Sequence, residues 1–133
     1  SAYANYAIQD ADLILALGAR FDDRVTGRLD TFAPEAKRAE REGRGGIVHF
    51  EISPKNMHKV VHPTVAVLGD VTKNLANVTP YIESKDRSEW LAKLDGWKAK
   101  HPFHFNPSVG DEVLKPQQVI KELNRQLLEI QET

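Results

Sequence analysis

The chain reads as an α/β protein: a three-layer arrangement in which a parallel sheet carries helices on both faces, followed by C-terminal linker helices. Three observations predict this. Short apolar runs at 13–17, 47–50 and 64–68 alternate with helix-forming stretches. Each run is nearly continuous in its apolar character, as expected of strands covered on both faces. Each ends in polar or small residues, namely Gly18, Glu51 and Gly69-Asp70, and open α/β sheets bind ligands just beyond the carboxyl ends of their strands.

Taken in order, residues 3–10 place Tyr3, Tyr6 and Ala7 on one side of a short amphipathic helix, and Asp12 marks the turn into the first strand. Gly18 lets the chain leave that strand sharply and lets another molecule approach its backbone. Arg20, Asp22, Asp23 and Arg24 follow at once, and residues 27–32 read as a turn and a short element. So dense a charge set serves a surface ion-pair network as readily as a ligand. Pro34 suits the first turn of a helix, residues 35–42 are strong helix formers, and Gly43-Arg44-Gly45-Gly46 closes it. A phosphate cradle follows a strand and opens a helix; this cluster follows a helix and opens a strand, so it reads as a cap or hinge.

The second strand ends on Glu51, after which Ser53 and Pro54 have the chemistry of an N-cap and a first helical residue. In dinucleotide folds an acid at this tip hydrogen-bonds a ribose hydroxyl. The distance from Gly18 exceeds the usual ~20 residues, and the segment 35–46 supplies the difference. A solvated acid at a strand end is the competing reading. Asp70 can N-cap a helix over 71–81 while sharing its carboxylate with a ligand's hydroxyls. Three tips converging on one sheet edge make a nucleotide site the favoured reading.

Pro80 and the polar run 83–88 mark the end of a first domain, 1–82. A linker, 83–114, holds one helix whose apolar face carries Trp90, Leu91, Leu94 and Trp97. His101 and His104 are three apart, but Pro102 between them argues for an extended segment rather than a metal pair. Residues 106–111, with Pro107 and Gly110, read as linker. Pro116 opens the last helix, within 115–133, with a stripe of Val119, Ile120, Leu123, Leu127 and Ile130.

Composition sets the outer bounds. The 133 residues, 41% hydrophobic, suffice for one ordinary domain or a domain and a piece of another. Lys plus Arg 18 against Asp plus Glu 19 leaves a net charge of −1, so no bulk field favours nucleic acid or an anionic membrane. The absence of cysteine excludes disulfides, thiolate metal sites and cysteine nucleophiles. No run approaches the length needed to span a bilayer. The chain opens on Ser1, in what reads as mid-helix, and is expected to be an excerpt of a longer protein.

The stretch Gly18-Ala19-Arg20-Phe21-Asp22-Asp23-Arg24-Val25-Thr26-Gly27 resembles the flavin-contacting signature of the acetohydroxyacid (acetolactate) synthase family of thiamine-diphosphate enzymes. The resemblance extends to Tyr3-Ala4-Asn5, to Phe50-Glu51-Ile52-Ser53-Pro54-Lys55-Asn56 and to Gly69-Asp70-Val71. The segment from Ala33-Pro34-Glu35-Ala36-Lys37-Arg38 to Glu42-Gly43-Arg44-Gly45-Gly46 is similar to the fungal branch in particular. It implies that residues 1–82 are part of a central FAD-binding domain and that 115–133 begin the thiamine-diphosphate domain. Gly18, Ala19, Arg20, Phe21, Asp22, Asp23, Glu51, Ile52, Asp70 and Val71 then match flavin-contacting positions. Arg24 matches a position at the channel to the active site, where inhibitors bind. Glu51 departs from the many relatives that have Asp there.

The resemblance further implies that the whole protein condenses pyruvate with pyruvate or 2-ketobutyrate, losing CO₂, in branched-chain amino acid synthesis. Thiamine diphosphate and Mg²⁺ would do the chemistry and FAD would be structural. It also implies a homodimer or homotetramer, a regulatory subunit and a mitochondrial location. Neither the thiamine motif, Gly-Asp-Gly with a later Asn, nor the catalytic glutamate occurs in this chain, so it is expected to hold no catalytic or metal-binding residue and to be inactive alone. The rival reading is a non-catalytic nucleotide-binding module of an electron-transfer or deacylase-like protein, which leaves the Asp22–Gly27 stretch unexplained. A helix-mediated interaction domain, resting on Trp90 and Trp97, ignores the strand tips.

Overall fold

The computed structural model describes residues 1–102, 104–110 and 113–131. Of the expected linker and final helix, Phe103, Asp111, Glu112, Glu132 and Thr133 lie outside the described residues. The chain forms two compact units, Ser1–His101 and Pro102–Thr133.

The first unit runs α1 (Ala2–Asp10), β1 (Leu13–Leu17), α2 (Asp23–Thr26), α3 (Pro34–Arg41), β2 (Gly46–Glu51), β3 (Val65–Leu68), α4 (Val71–Val78), a 3₁₀ turn at Thr79–Tyr81 and α5 (Ser88–Lys100). The strands form one parallel sheet in the order β1-β2-β3, with helices on both sides, as the alternation of apolar runs and helix formers predicts. Leu13 pairs with Gly46 and Leu17 with Phe50, while Val48 pairs with Val65 and Glu51 with Leu68. This register puts Ile14, Ala16, Ile47, His49 and Glu51 on one face, since side chains alternate along a strand. That face meets Ile8 of α1, Ala36 of α3 and the loop residues Phe21, Phe32 and Val61, and together they make the core.

The other face departs from expectation. Leu13, Leu15 and Leu17 are each about half exposed, whereas the continuous apolar run predicted burial on both sides. On that face α4 packs on β2, where Phe50 is buried, and does not extend the same cover to β1. The helix expected from Pro54 also fails to form. Asn56 and Met57 donate to carbonyls three residues back, on Ser53 and Pro54, and His58 takes a left-handed conformation, so the segment is a run of turns. Ser53 does not cap a helix there; its backbone N–H turns back to Glu51.

The end of α3 bears out the cap reading of Gly43. Its φ is +70°, its N–H donates to the Glu40 carbonyl and that of Arg44 to the Ala39 carbonyl, the paired bonds of a Schellman motif. Around it lies an ion-pair cluster in which Arg38 and Arg44 both reach Glu35, at 2.5 and 2.8 Å, and Arg44 also reaches Glu42 and Asp12. The two guanidinium groups hold the Glu35 carboxyl down from 4.5 to about 2. A lowered folded-state value contributes stability above the unfolded value and loses it as pH falls towards the folded one. Glu35→Gln is therefore expected to flatten the acid-unfolding curve between pH 4.5 and 2, followed by far-UV circular dichroism. A curve superimposable on that of the parent protein would mean solvent screens the cluster completely.

Helix α5 packs on α1 through aromatic contacts, with Trp97 5.9 Å from Tyr6 and 6.1 Å from Trp90. Lys93 pairs with Asp10 and lies over the Trp97 ring. In the second unit α6 (Pro116–Gln131) begins at Pro116 as expected, and Gln118 Oε1 accepts from the backbone N–H groups of Ser108 and Lys115. The stripe of Val119, Ile120, Leu123, Leu127 and Ile130 is exposed.

Candidate functional site

The three strands end side by side. Gly18 N–H donates to the Phe50 carbonyl at 2.8 Å and Gly69 N–H to the Glu51 carbonyl at 2.9 Å, so the ladder continues one residue past each strand. The tips of β1, β2 and β3 thus bring Gly18, Glu51 and Asp70 to one edge. Gly18 has φ +63°, and a Cβ built there would meet no described atom within 4 Å. The strand tip is open where a ligand's approach would need it to be.

Beyond Gly18 the chain turns back over the core. Ala19 offers its carbonyl to His49 Nε2 at 2.7 Å. Arg20 extends outward, 73% exposed, with only a loose 3.8 Å pairing to Asp22. Phe21 does the reverse: at φ +53° its ring is buried, edge-on to His49 at 4.9 Å and to Phe32 at 6.0 Å. A side chain so placed packs the loop down, and a ligand would find only main chain at this position. Asp22 caps α2, its Oδ1 accepting from Val25 N–H at 3.2 Å, and buried Thr26 donates its hydroxyl back to the Asp22 carbonyl at 3.1 Å. The charged stretch therefore contains a single helical turn that sequence reading took for loop. Asp23 opens that turn and Arg24 is its second residue, both exposed.

At the second tip Glu51 is only 4% exposed. Its Oε1 accepts from Ser53 N–H at 2.8 Å. That bond, the Asn56 side chain and nearby His49 outweigh burial and hold its carboxyl below the usual carboxylate range. It is an ionised, pre-oriented group rather than a freely solvated acid. Ile52 beside it is exposed. At the third tip Asp70 caps α4 through Lys73 N–H at 2.9 Å, and Val71 is the first helical residue.

Two participants escaped sequence reading. His49 is fully buried, and its Nδ1 has no hydrogen-bond partner among the described residues. Asn74 Nδ2 is likewise buried and unpartnered, and would stand 3.3 Å from a Cβ built on Gly69 at the third tip. The signal for His49 was a histidine inside an otherwise apolar strand; nothing in the helix pattern of α4 singles out Asn74.

The cleft at the opposite end of the sheet, about 820 Å³ and lined by Asp12, Leu13, Glu35 and Arg44 among others, is a different matter. Arg38 and Arg44 are engaged there with Glu35 and Asp12, so it is chiefly an ion-pair network and not a rival site. Among the described residues no cluster of three or more His, Asp or Glu could hold a metal ion. No described helix is long and apolar enough to cross a membrane. The tip edge can bind through hydroxyl-accepting carboxylates, a guanidinium and main-chain donors.

Residues 1–78 match the family described as thiamine pyrophosphate enzyme, central domain. The chain is 52% identical over 135 residues to a mitochondrial acetolactate synthase of Schizosaccharomyces pombe, covering 99% of this chain and 20% of that protein. It is 54% identical over 125 residues to the mitochondrial acetolactate synthase catalytic subunit of Saccharomyces cerevisiae, covering 93% of this chain and 18% of that protein. An acetolactate synthase large subunit of Corynebacterium glutamicum is 39% identical over 126 residues, 91% of this chain and 18% of its own. The chain thus spans about a fifth of the length of the curated relatives it matches.

Proposed function

The chain belongs to the thiamine pyrophosphate enzymes, within whose central domain residues 1–78 fall, and from that premise we propose that it is part of an acetolactate synthase catalytic subunit. The reading is supported above all by identity above half to two fungal acetolactate synthases, one of them named a catalytic subunit, over nearly the whole chain. The whole protein would condense pyruvate with a second 2-ketoacid, pyruvate or 2-ketobutyrate, with loss of CO₂. Thiamine diphosphate and Mg²⁺ would be held by regions outside these residues. The words "catalytic subunit" and "mitochondrial" in relatives' names support a separate regulatory subunit and a mitochondrial location for this protein as well. A homodimeric or homotetrameric assembly belongs to the same proposal. So do the boundaries 1–82 for the central domain, 83–114 for the linker and 115–133 for the start of the thiamine-diphosphate domain.

This segment's own share is a structural flavin site at the strand tips. The donor set suits FAD. Carboxylates of Glu51 and Asp70 accept from sugar hydroxyls, the outward Arg20 meets anionic oxygens, and open space at Gly18 admits a close approach. The buried, unpartnered Asn74 amide at the third tip is a further donor. Ala19, Phe21, Asp22, Asp23, Ile52 and Val71 complete the contact set, Phe21 through its main chain because its ring is buried. Bound there, FAD would order the tips and carry no electrons in the condensation. No observation favours an electron-transfer or deacylase-like module instead.

The full-length protein is expected to form acetolactate from pyruvate only with thiamine diphosphate and Mg²⁺ present, and residues 1–133 alone to form none. Within that enzyme the two exposed arginines should separate. Arg20→Ala should lower bound FAD per subunit, whereas Arg24→Ala, within α2 and farther along the chain from the strand tip, should leave flavin near normal and weaken binding of an anionic inhibitor or raise KM. Turnover by residues 1–133 alone would overturn the domain assignment. Parallel loss of flavin in both variants would return the charged stretch to a stability network.

A further inference from the structure

His49 stands on the core face of β2, fully buried, two residues from Glu51 and opposite Ala16. Its Nε2 lies 2.7 Å from the Ala19 carbonyl and 3.9 Å from Glu51 Oε2. A carbonyl oxygen only accepts, so Nε2 carries the proton of that bond. The ring also receives Phe21 edge-on at 4.9 Å, so two residues of the turn beyond Gly18, Ala19 and Phe21, rest on one imidazole. Packing does not explain a histidine here. Leucine or phenylalanine would fill comparable space without burying Nδ1, which has no partner among the described residues.

We infer that His49 is a positioning residue for the strand-tip site. Its Nε2–H ties the Ala19 carbonyl, and with it the turn bearing Arg20 and Asp22, into register with the Glu51 carboxylate. The bond joins the first tip to the second across thirty residues of chain. Without it the ladder bond from Gly18 to Phe50 still ends β1 correctly and the Phe21 ring still packs the turn down, but the Ala19 carbonyl loses its tie to β2 and with it the alignment of Arg20 against Glu51. This rests on the flavin reading above: the residues His49 aligns are those proposed to contact FAD.

The test uses the full-length enzyme with His49→Leu, which removes the donor, and His49→Gln, whose amide can still donate to Ala19. Three quantities are read: the FAD dissociation constant, the visible circular dichroism of bound flavin, and amide hydrogen exchange across residues 18–26 in flavin-free protein. His49→Leu should weaken FAD binding about tenfold, the loss of one hydrogen bond's alignment, change the dichroic band and speed exchange in 18–26. His49→Gln should restore all three towards the parent values. Should the Leu variant not yield folded enzyme, His49→Phe, which keeps a ring against Phe21, replaces it. Parent-like FAD affinity and exchange in the donor-less variant overturn the inference, as does failure of Gln to rescue. If the parent enzyme binds no FAD, the flavin reading itself falls and this inference with it. If the parent binds FAD and the variants bind it equally, only the role of His49 falls.

Discussion

Gly45→Ala is expected to destabilise the first unit by about 3 kcal/mol or more. A Cβ built on Gly45 falls 2.2 Å from the Asp12 carbonyl oxygen and 3.0 Å from the Ala39 Cβ. The first obstacle is backbone and has no rotamer to escape into. It also accepts from Gly46 N–H at 2.8 Å, the bond that starts the pairing of β1 with β2, so retreat would cost that bond too. Gly46→Ala should behave similarly for a second reason. At φ +133° its Cβ would stand 2.1 Å from Thr64 Oγ1, which is fixed by accepting from Ile47 N–H at 2.9 Å. Gly43→Ala is the control: at φ +70° with no described atom within 4 Å, it bears only the left-handed strain of roughly 1 kcal/mol. Urea midpoints of the three variants give the ordering directly. Equal midpoints would show that the neighbours of Gly45 and Gly46 yield to an added Cβ and that close approach is not what those positions require.

That glycine cluster marks how far the sequence could be read. As text, Gly43-Arg44-Gly45-Gly46 was a helix end or hinge, and Gly43 is one. Gly45 and Gly46 are glycines because two other segments, at Asp12 and Thr64, press against them, and no local pattern reports contact across 18 or more residues. The same division holds elsewhere. Strand positions and the convergence of Gly18, Glu51 and Asp70 follow from apolar runs and connection rules, both local in origin. The single turn of α2 was missed because four residues are too short for helical periodicity; only the Asp22 cap and the Thr26 hydroxyl reveal it. The Ser53-Pro54 pair misled in the opposite sense: the Ser53 backbone N–H turns back to the Glu51 carboxylate and the segment runs on as turns, so there is no helix to cap. The half-exposed leucines of β1 carry the composition of a covered strand, and composition does not say what does the covering.

Glu51→Ala in the full-length enzyme is expected to weaken FAD binding roughly 10- to 150-fold, the loss of a charged hydrogen bond to a ligand hydroxyl. The structure sharpens what must be excluded. Glu51 also braces its own loop, through Ser53 N–H and Asn56, so an alanine could loosen residues 52–57 without touching a ligand. Glu51→Gln separates the two. Its amide oxygen can still accept from Ser53 N–H and keep the brace, but it lacks the charge that favours a sugar hydroxyl. Gln should therefore melt close to the parent in the absence of FAD and still bind FAD several-fold more weakly, while Glu51→Asp should retain most of the affinity. Because its neighbours hold the carboxyl below the ordinary 4.5, the charged form persists as pH falls through that value. The difference in FAD affinity between parent and Gln should then stay constant from neutral pH down past 4.5 and close only below it. If Gln and the parent bind FAD alike while alanine alone loses both flavin and stability, Glu51 is a loop brace and the ligand's acceptor at the second tip must be sought elsewhere.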